Sequence, residues 1–172
     1  MIGHMPGFRG NEQTRLPDVR PYLINDADAE RAKRQRTYVV TTLGGIEQIP
    51  LNGPDSLVRF RRTGDSLFAR NLQMLRKHGV SVIVGSDAFR TTSLPEALYL
   101  SSLHVYDNAE LLRLWAEETP RAIFPGRRIG RLAPGYESSF LVLDKDPLAD
   151  FANVKTIRLR VKQGFTIIEP AQ

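Results

Sequence analysis

The stretch "VSVIVGSDAF", residues 80–89, places an aspartate shortly after an apolar run. Val82, Ile83 and Val84 are consecutive β-branched residues, which predicts a strand buried on both of its faces. Asp87 follows at the end of this strand, where burying an unpaired carboxylate is costly. The carboxylate therefore either caps the next helix and fixes the loop, or it binds a ligand such as a divalent cation.

The segments around this strand alternate between helix and strand. The predicted elements are a helix over 27–36, a strand over 37–43, a turn-rich loop over 44–56, a helix over 66–79, the strand over 80–85, and helices over 94–105 and 108–124. Asp26 and Asn108 are candidate N-caps, and Gly79 is a candidate helix stop. Such alternation is typical of βα units with a parallel sheet, so we expect Leu43 and Asp87 at the same sheet edge.

The character of the sequence changes near residue 125. Beyond it, glycines become frequent, a short strand is predicted over 140–143, and apolar and basic residues alternate over 157–162. This alternation predicts a half-buried antiparallel strand, followed by a turn at Gln163-Gly164. The sequence thus predicts two domains, an α/β part over 1–125 and a small β part over 126–172.

Composition excludes several classes of protein. The chain has 172 residues, a formal net charge of +5 and no cysteine, so disulfide frameworks, thiolate metal sites and thiol nucleophiles are excluded. No apolar run is long enough to span a membrane, and the first ten residues do not resemble a signal peptide, so we expect a cytoplasmic protein without a membrane partner. The basic residues are dispersed along the chain, which disfavours a nucleic-acid partner.

Three motifs occur together and in order: Gly85-Ser86-Asp87 after the buried strand, Thr119-Pro120-Arg121-Ala122, and the run "IGRLAPGYESSFLVLDKDPL" over 129–148. With them, the chain resembles the C-terminal part of a metal-dependent amidohydrolase, most closely the imidazolonepropionase-like group. The resemblance covers nearly the whole chain, least clearly over 1–25. It implies an α/β fold, namely strands six to eight of a (β/α)8 barrel, followed by a small β segment of a composite β-sandwich.

The resemblance also implies an activity and a site. The activity is hydrolysis of carbon–nitrogen or related bonds in a small molecule, by water activated on a divalent metal, with zinc favoured. Asp87 corresponds to a metal ligand that also serves as the general base. His4, in "IGHMPGF", corresponds to a histidine ligand at the end of strand six, although Gly3-His4-Met5 also matches the remnant of a cleaved tag. No substrate-binding residue is assigned.

The chain departs from the family pattern in its ligand set. The family also uses a His-x-His pair and further ligands on strands one to five, whereas the three histidines here are His4, His78 and His104. His78 is expected at a helix end and His104 within a helix, where a structural role is the simpler reading. The alternative is therefore a non-catalytic relic, or an oligomerising or scaffold domain. If the chain is a fragment, an N-terminal half or a second copy would complete it.

Overall fold

The computed structural model describes residues 4–7, 18–43, 45–86 and 92–167. The chain divides into two compact units, Met1–Val105 and Tyr106–Gln172. The predicted boundary near residue 125 lies within the second unit, because the helical segment after residue 107 groups with the β segment. The division of the chain into a barrel part and a sandwich part stays a prediction.

The described part of the first unit contains three α-helices and two strands. They are α1 (Asp26–Arg34), β1 (Tyr38–Val40), α2 (Asp55–Lys77), β2 (Ser81–Ile83) and α3 (Leu94–Ser102), with short 3-10 turns at Arg20–Tyr22 and Ile46–Gln48. β1 and β2 are parallel neighbours, with Val39 opposite Val82. The predicted parallel pair is confirmed, although both strands are shorter than predicted.

α2 is longer at its start than the sequence analysis predicted. It begins at Asp55 rather than at residue 66, so the predicted loop over 44–56 ends earlier. Its buried positions recur every three or four residues, which is the period of an amphipathic helix. They are Phe60, Arg61, Gly64, Leu67, Phe68, Asn71, Leu72 and Leu75. The prediction missed the first turns because Gly64 and the basic run over 59–62 look unlike a helix interior.

Two predicted caps are each displaced by one residue. Asn25 rather than Asp26 caps α1, since its side chain accepts a hydrogen bond from the Asp28 amide in a capping box. Asp107 rather than Asn108 caps the helix that follows, and it does so in the same way. In both cases the preceding polar residue has the extended backbone that an N-cap requires.

The second unit begins with a helical segment in three parts. α4 (Asn108–Arg113) continues into a π turn, Leu114–Glu118, and then into α5 (Thr119–Ile123). The helix predicted over 108–124 is therefore present, with a π turn inside it. Its side chains join the unit's small core, in which Leu111 and Phe151 are buried.

Three antiparallel strands complete the second unit. They are β3 (Phe140–Leu143), β4 (Ile157–Lys162) and β5 (Phe165–Thr166), in the order β3-β4-β5, with a 3-10 turn at Phe151–Lys155. The bounds of β3 and β4 and the turn at Gln163-Gly164 are confirmed, and both turn residues have positive φ. Arg158 and Lys162 are exposed as predicted, whereas Arg160 is half-buried.

Among the described helices, none combines the length and the apolar character needed to cross a membrane.

Candidate active site at the carboxyl edge of the parallel strands

The carboxyl ends of β1 and β2 are joined through Thr41. Its amide donates to the Ile83 carbonyl (3.0 Å), and its buried hydroxyl lies 3.4 Å from the Gly85 nitrogen and 3.5 Å from the Gly85 oxygen. A methyl group on Gly85 would lie less than 3.0 Å from a Val40 methyl, so only glycine fits this approach. The two strand ends are therefore closely joined immediately before Asp87.

His4 lies at this same edge. Its Nδ1 is 2.9 Å from the hydroxyl of Thr42, the second residue after β1, and its side chain is exposed. Thr42 has a φ of 45°, a left-handed conformation that is unusual for a β-branched residue and often marks a functional site. The sequence analysis placed His4 at a strand end of the sheet, and the structure places it beside the end of β1.

The segment 4–7 is integrated into the unit. The Met5 side chain is 4% exposed, and its amide donates to the Thr41 carbonyl at 3.4 Å. Gly7 lies so close to the Phe68 ring that an added methyl group would be 2.9 Å from the ring's Cζ. These contacts favour a native segment over a tag remnant, since a remnant has no reason to be buried.

Asp87 itself lies outside the described residues. Ser86, the last described residue before it, follows β2 at the carboxyl edge of the sheet. The roles of Asp87 as general base and of Asp87 and His4 as metal ligands stay predictions.

The loop that leaves β1 is fixed by a buried arginine. Arg61, 8% exposed, donates from Nη1 to the carbonyls of Ile46 (3.0 Å) and Ile49 (3.2 Å), and from Nε to both oxygens of Asp65. Tyr99 lies beneath the guanidinium and donates its hydroxyl to Asp65 at 2.6 Å. Burial, with a further effect of Asp65, raises the pKa of Tyr99, so the phenol stays protonated.

A buried carboxyl group connects the same edge to α3. Glu96, in the first turn of α3, is 2% exposed, and its Oε1 accepts a hydrogen bond from the Leu43 amide at 2.9 Å. This contact links the exit of β1 to the helix that follows the Asp87 loop. The sequence analysis missed Glu96 and Arg61. The one sequence feature that could have indicated a buried Arg61 is its helical spacing with Gly64 and Phe68.

The described residues do not by themselves make a metal site. Across 4–7, 18–43, 45–86 and 92–167, no three histidine or acidic side chains are grouped to hold an ion. His78 is the C-cap of α2 and bonds Asp26 at 2.7 Å. His104 lies beyond the end of α3, exposed and with a φ of 52°, so its predicted place within a helix is wrong. Within those ranges, the grouped donors are too few to make up the ligand set of a bound metal.

The other two motifs have structural roles in the second unit. Pro120 lacks an N–H group, so the regular helical bond to the carbonyl four residues earlier cannot form, and a π turn is present instead. Thr119 supports this turn by donating its hydroxyl to the Leu114 carbonyl at 2.7 Å. Gly130, with a φ of 88°, packs against the turn: an added methyl group would lie 2.8 Å from the Glu117 Cα.

Solved structures share this architecture. An amidohydrolase matches with a TM-score of 0.68 at 20% identity, covering 87% of this chain and 39% of its own. A prolidase complexed with N-methylphosphonate-L-proline matches with a TM-score of 0.66 at 19% identity, covering 84% and 38%. Ochratoxinase from A. niger matches with a TM-score of 0.64 at 23% identity, covering 83% and 34%.

The chain matches part of the amidohydrolase fold. The chain spans less than two-fifths of the length of these structures, and at these identities the likeness shows the fold alone. No family model matches the chain, and neither does any curated protein. The expected mixed α/β fold is confirmed, whereas the barrel strand numbers and the imidazolonepropionase-like group are not shown.

Proposed function

We propose that this chain is part of a metal-dependent hydrolase of the amidohydrolase superfamily. The observation that carries the proposal is the position of His4 at the carboxyl edge of β1 and β2, within a chain that matches part of the amidohydrolase fold. In sheets built from βα units, this edge carries the chemistry. The His4 ring contacts the hydroxyl of Thr42, a residue with an unusual positive φ. A histidine at this position is a suitable ligand for a catalytic metal.

The finer assignment follows the three motifs. β1 and β2 would be barrel strands seven and eight, the segment ending at His4 strand six, and β3–β5 part of a composite β-sandwich. The protein would belong to the imidazolonepropionase-like group. His4 and Asp87 would bind a divalent metal, with zinc favoured, and Asp87 would act as general base. Since no three such donors are grouped in the described part, ligands beyond His4 and Asp87 would have to come from elsewhere.

The substrate is proposed only as a class. The names of the solved structures include a prolidase and an ochratoxinase, so the fold serves more than one substrate. We propose hydrolysis of a carbon–nitrogen or related bond in a small molecule, with no nucleic-acid partner and a cytoplasmic location.

The test is metal analysis and hydrolysis of a panel of N-acyl amino acids and dipeptides. Both are measured on the chain alone and on the chain joined to any coding sequence upstream of Met1. We expect the chain alone to bind metal below stoichiometry and to be inactive, and the longer protein to bind tightly. In the longer protein, Asp87→Asn should keep the circular dichroism spectrum and abolish turnover, because an amide cannot accept the proton.

The matched control is His104→Gln, because His104 is exposed and lies outside the candidate site. Its metal content and turnover should equal those of the parent, whereas His4→Gln should lower both. Unchanged metal content and turnover in His4→Gln and Asp87→Asn would contradict the proposed site.

An oligomerising role is the second candidate, and one observation favours it. Leu132, Leu141 and Phe165, all in the second unit, are 78%, 54% and 77% exposed. Large exposed apolar side chains often mark an interface, and Leu141 and Phe165 lie on strands of one sheet. Light scattering over a concentration series distinguishes the roles: a dimer weakened by Phe165→Ser, without metal binding in either form of the protein, would favour this candidate.

A further inference from the structure

The carboxamide of Asn71 connects three separate segments of the first unit. Asn71 lies within α2 and is fully buried. Its Oδ1 accepts a hydrogen bond from the Ile24 amide at 2.9 Å, and its Nδ2 donates to the carbonyls of Pro6 (3.2 Å) and Tyr22 (2.9 Å). Both hydrogens of the amide group are therefore used, and so is its oxygen.

An asparagine at this position is unfavourable unless these bonds form. The neighbouring buried positions of α2 are Phe68, Leu72 and Leu75, so Asn71 stands in an otherwise apolar face. Burying an amide without partners costs about 1–3 kcal/mol. Its partners are backbone groups of Pro6, Tyr22 and Ile24, which lie outside the sheet and the α-helices. The position therefore selects for a side chain that fixes these segments.

One of the segments carries His4. One residue, Met5, separates the bonded Pro6 from His4, and the Met5 side chain is buried. The Asn71 contact joins this segment to α2, and the long bond from Met5 to Thr41 joins it to the end of β1. Together the two contacts fix the backbone of Met5 and Pro6, directly after the residue whose ring meets Thr42.

We propose that Asn71 is a positioning residue for His4. It fixes the carbonyl of Pro6, and through it the segment 4–7, so that the imidazole Nδ1 stands at the Thr42 hydroxyl and Nε2 is the nitrogen left for a ligand. The functional meaning rests on the proposed function, since it treats His4 as a ligand. The structural part of the proposal, that Asn71 fixes the tautomer of the His4 ring, is tested separately.

The experiment is nitrogen NMR of the histidine rings in the labelled full chain, at a pH above the usual imidazole pKa of about 6.5. His4→Gln assigns the His4 signals. In the parent, we expect two well-separated ring nitrogen signals, because an Nε2 left for a ligand requires that Nδ1 carry the hydrogen and donate it to the Thr42 hydroxyl. In Asn71→Asp, which keeps the acceptor and loses both donors, the two signals should move toward each other, as in a ring that samples both tautomers.

The control for a general loss of stability is Leu75→Ala, which creates a cavity in the same helix. It should leave the His4 signals in place, and the His78 signals should stay unchanged in both variants. Asn71→Ser replaces Asn71→Asp in the experiment if Asn71→Asp does not fold, because a hydroxyl cannot donate to both the Pro6 and the Tyr22 carbonyl. Parental His4 signals in the Asn71 variants, or equal changes in Leu75→Ala, would overturn the proposal.

Addition of Zn²⁺ to the parent separates this proposal from the proposed function. A shift of the His4 Nε2 signal that is weakened in Asn71→Asp supports both. If Zn²⁺ leaves His4 unaffected while Asn71→Asp still merges its two signals, the ligand role of His4 fails and the positioning role stands.

Discussion

The close approach of Gly85 to β1 predicts that Gly85→Ala destabilises the chain through a single contact. The added methyl group would lie less than 3.0 Å from Cγ1 of Val40 and 3.4 Å from Cγ2 of Thr42. Carbon atoms normally pack at about 3.5–4.0 Å, so the Val40 methyl must move by at least about 0.5 Å. Val40 is β-branched with a stiff χ1 and is paired to Ile83, so it moves only at a cost.

The magnitude follows from the cost of overpacking. Inserting a methyl group into a packed site costs about 1–3 kcal/mol, and we expect about 2 kcal/mol for Gly85→Ala. Val40→Ala alone should cost about 1 kcal/mol, because Val40 is only half-buried. In the double variant the clash is gone, so its cost should be close to that of Val40→Ala. The coupling energy is then about −2 kcal/mol.

The assay is urea denaturation of the four proteins of this double-mutant cycle, followed by circular dichroism. Gly126→Ala is the control, because a methyl group there meets no atom of the described chain within 4 Å, and it should be nearly neutral. Costs for Gly85→Ala and Val40→Ala that add to within about 0.5 kcal/mol would refute the reasoning, since additivity means that the two side chains do not interact.

Three further outcomes are expected. Gly130→Ala should lower the free energy of unfolding by about 2–5 kcal/mol in a thermal melt, since it combines a clash with a positive φ. Gly164→Ala, with a similar φ and open space, should lower it by about 1 kcal/mol. Tyr99→Phe should lose about 1–2 kcal/mol by denaturation because its hydroxyl donates to a carboxylate, with Tyr136→Phe as the near-neutral comparison. Hydrogen bonds from a lysine and a histidine lower the pKa of Asp26, so Asp26→Asn should be less stable than the parent near neutral pH. That difference should vanish in acid melts as the pH falls from about 4 through the lowered pKa.

The strands were the most predictable part of the fold. The bounds of β4 follow from the alternation of apolar and basic residues over 157–162, because a half-buried strand repeats every two residues. β1 and β2 were recognised from β-branched runs, and their parallel pairing followed from the helix between them. Local patterns of this kind depend on near neighbours in the sequence, which is why they can be recognised without a structure.

The polar residues that build the candidate site could not be predicted in the same way. Arg61, Asn71 and Glu96 each lie in a helical stretch, and each bonds a backbone group 12 or more residues away. In sequence, such residues are indistinguishable from those on a solvated helix face. His4 was found because a resemblance supplied its role, and Asp87 because it ends a strand. The metal assignment rests on that resemblance.

The buried polar groups of the first unit have a common pattern. Arg61 fixes the loop after β1, Glu96 the exit of β1, Thr41 the exit of β2, and Asn71 the segment of His4. Each one bonds backbone that leaves the carboxyl edge or lies against it. A fold that needed only stability would gain as much from apolar side chains, since buried polar pairs contribute little net free energy. Their placement at one edge fits the proposed function, because a catalytic constellation there would need fixed geometry.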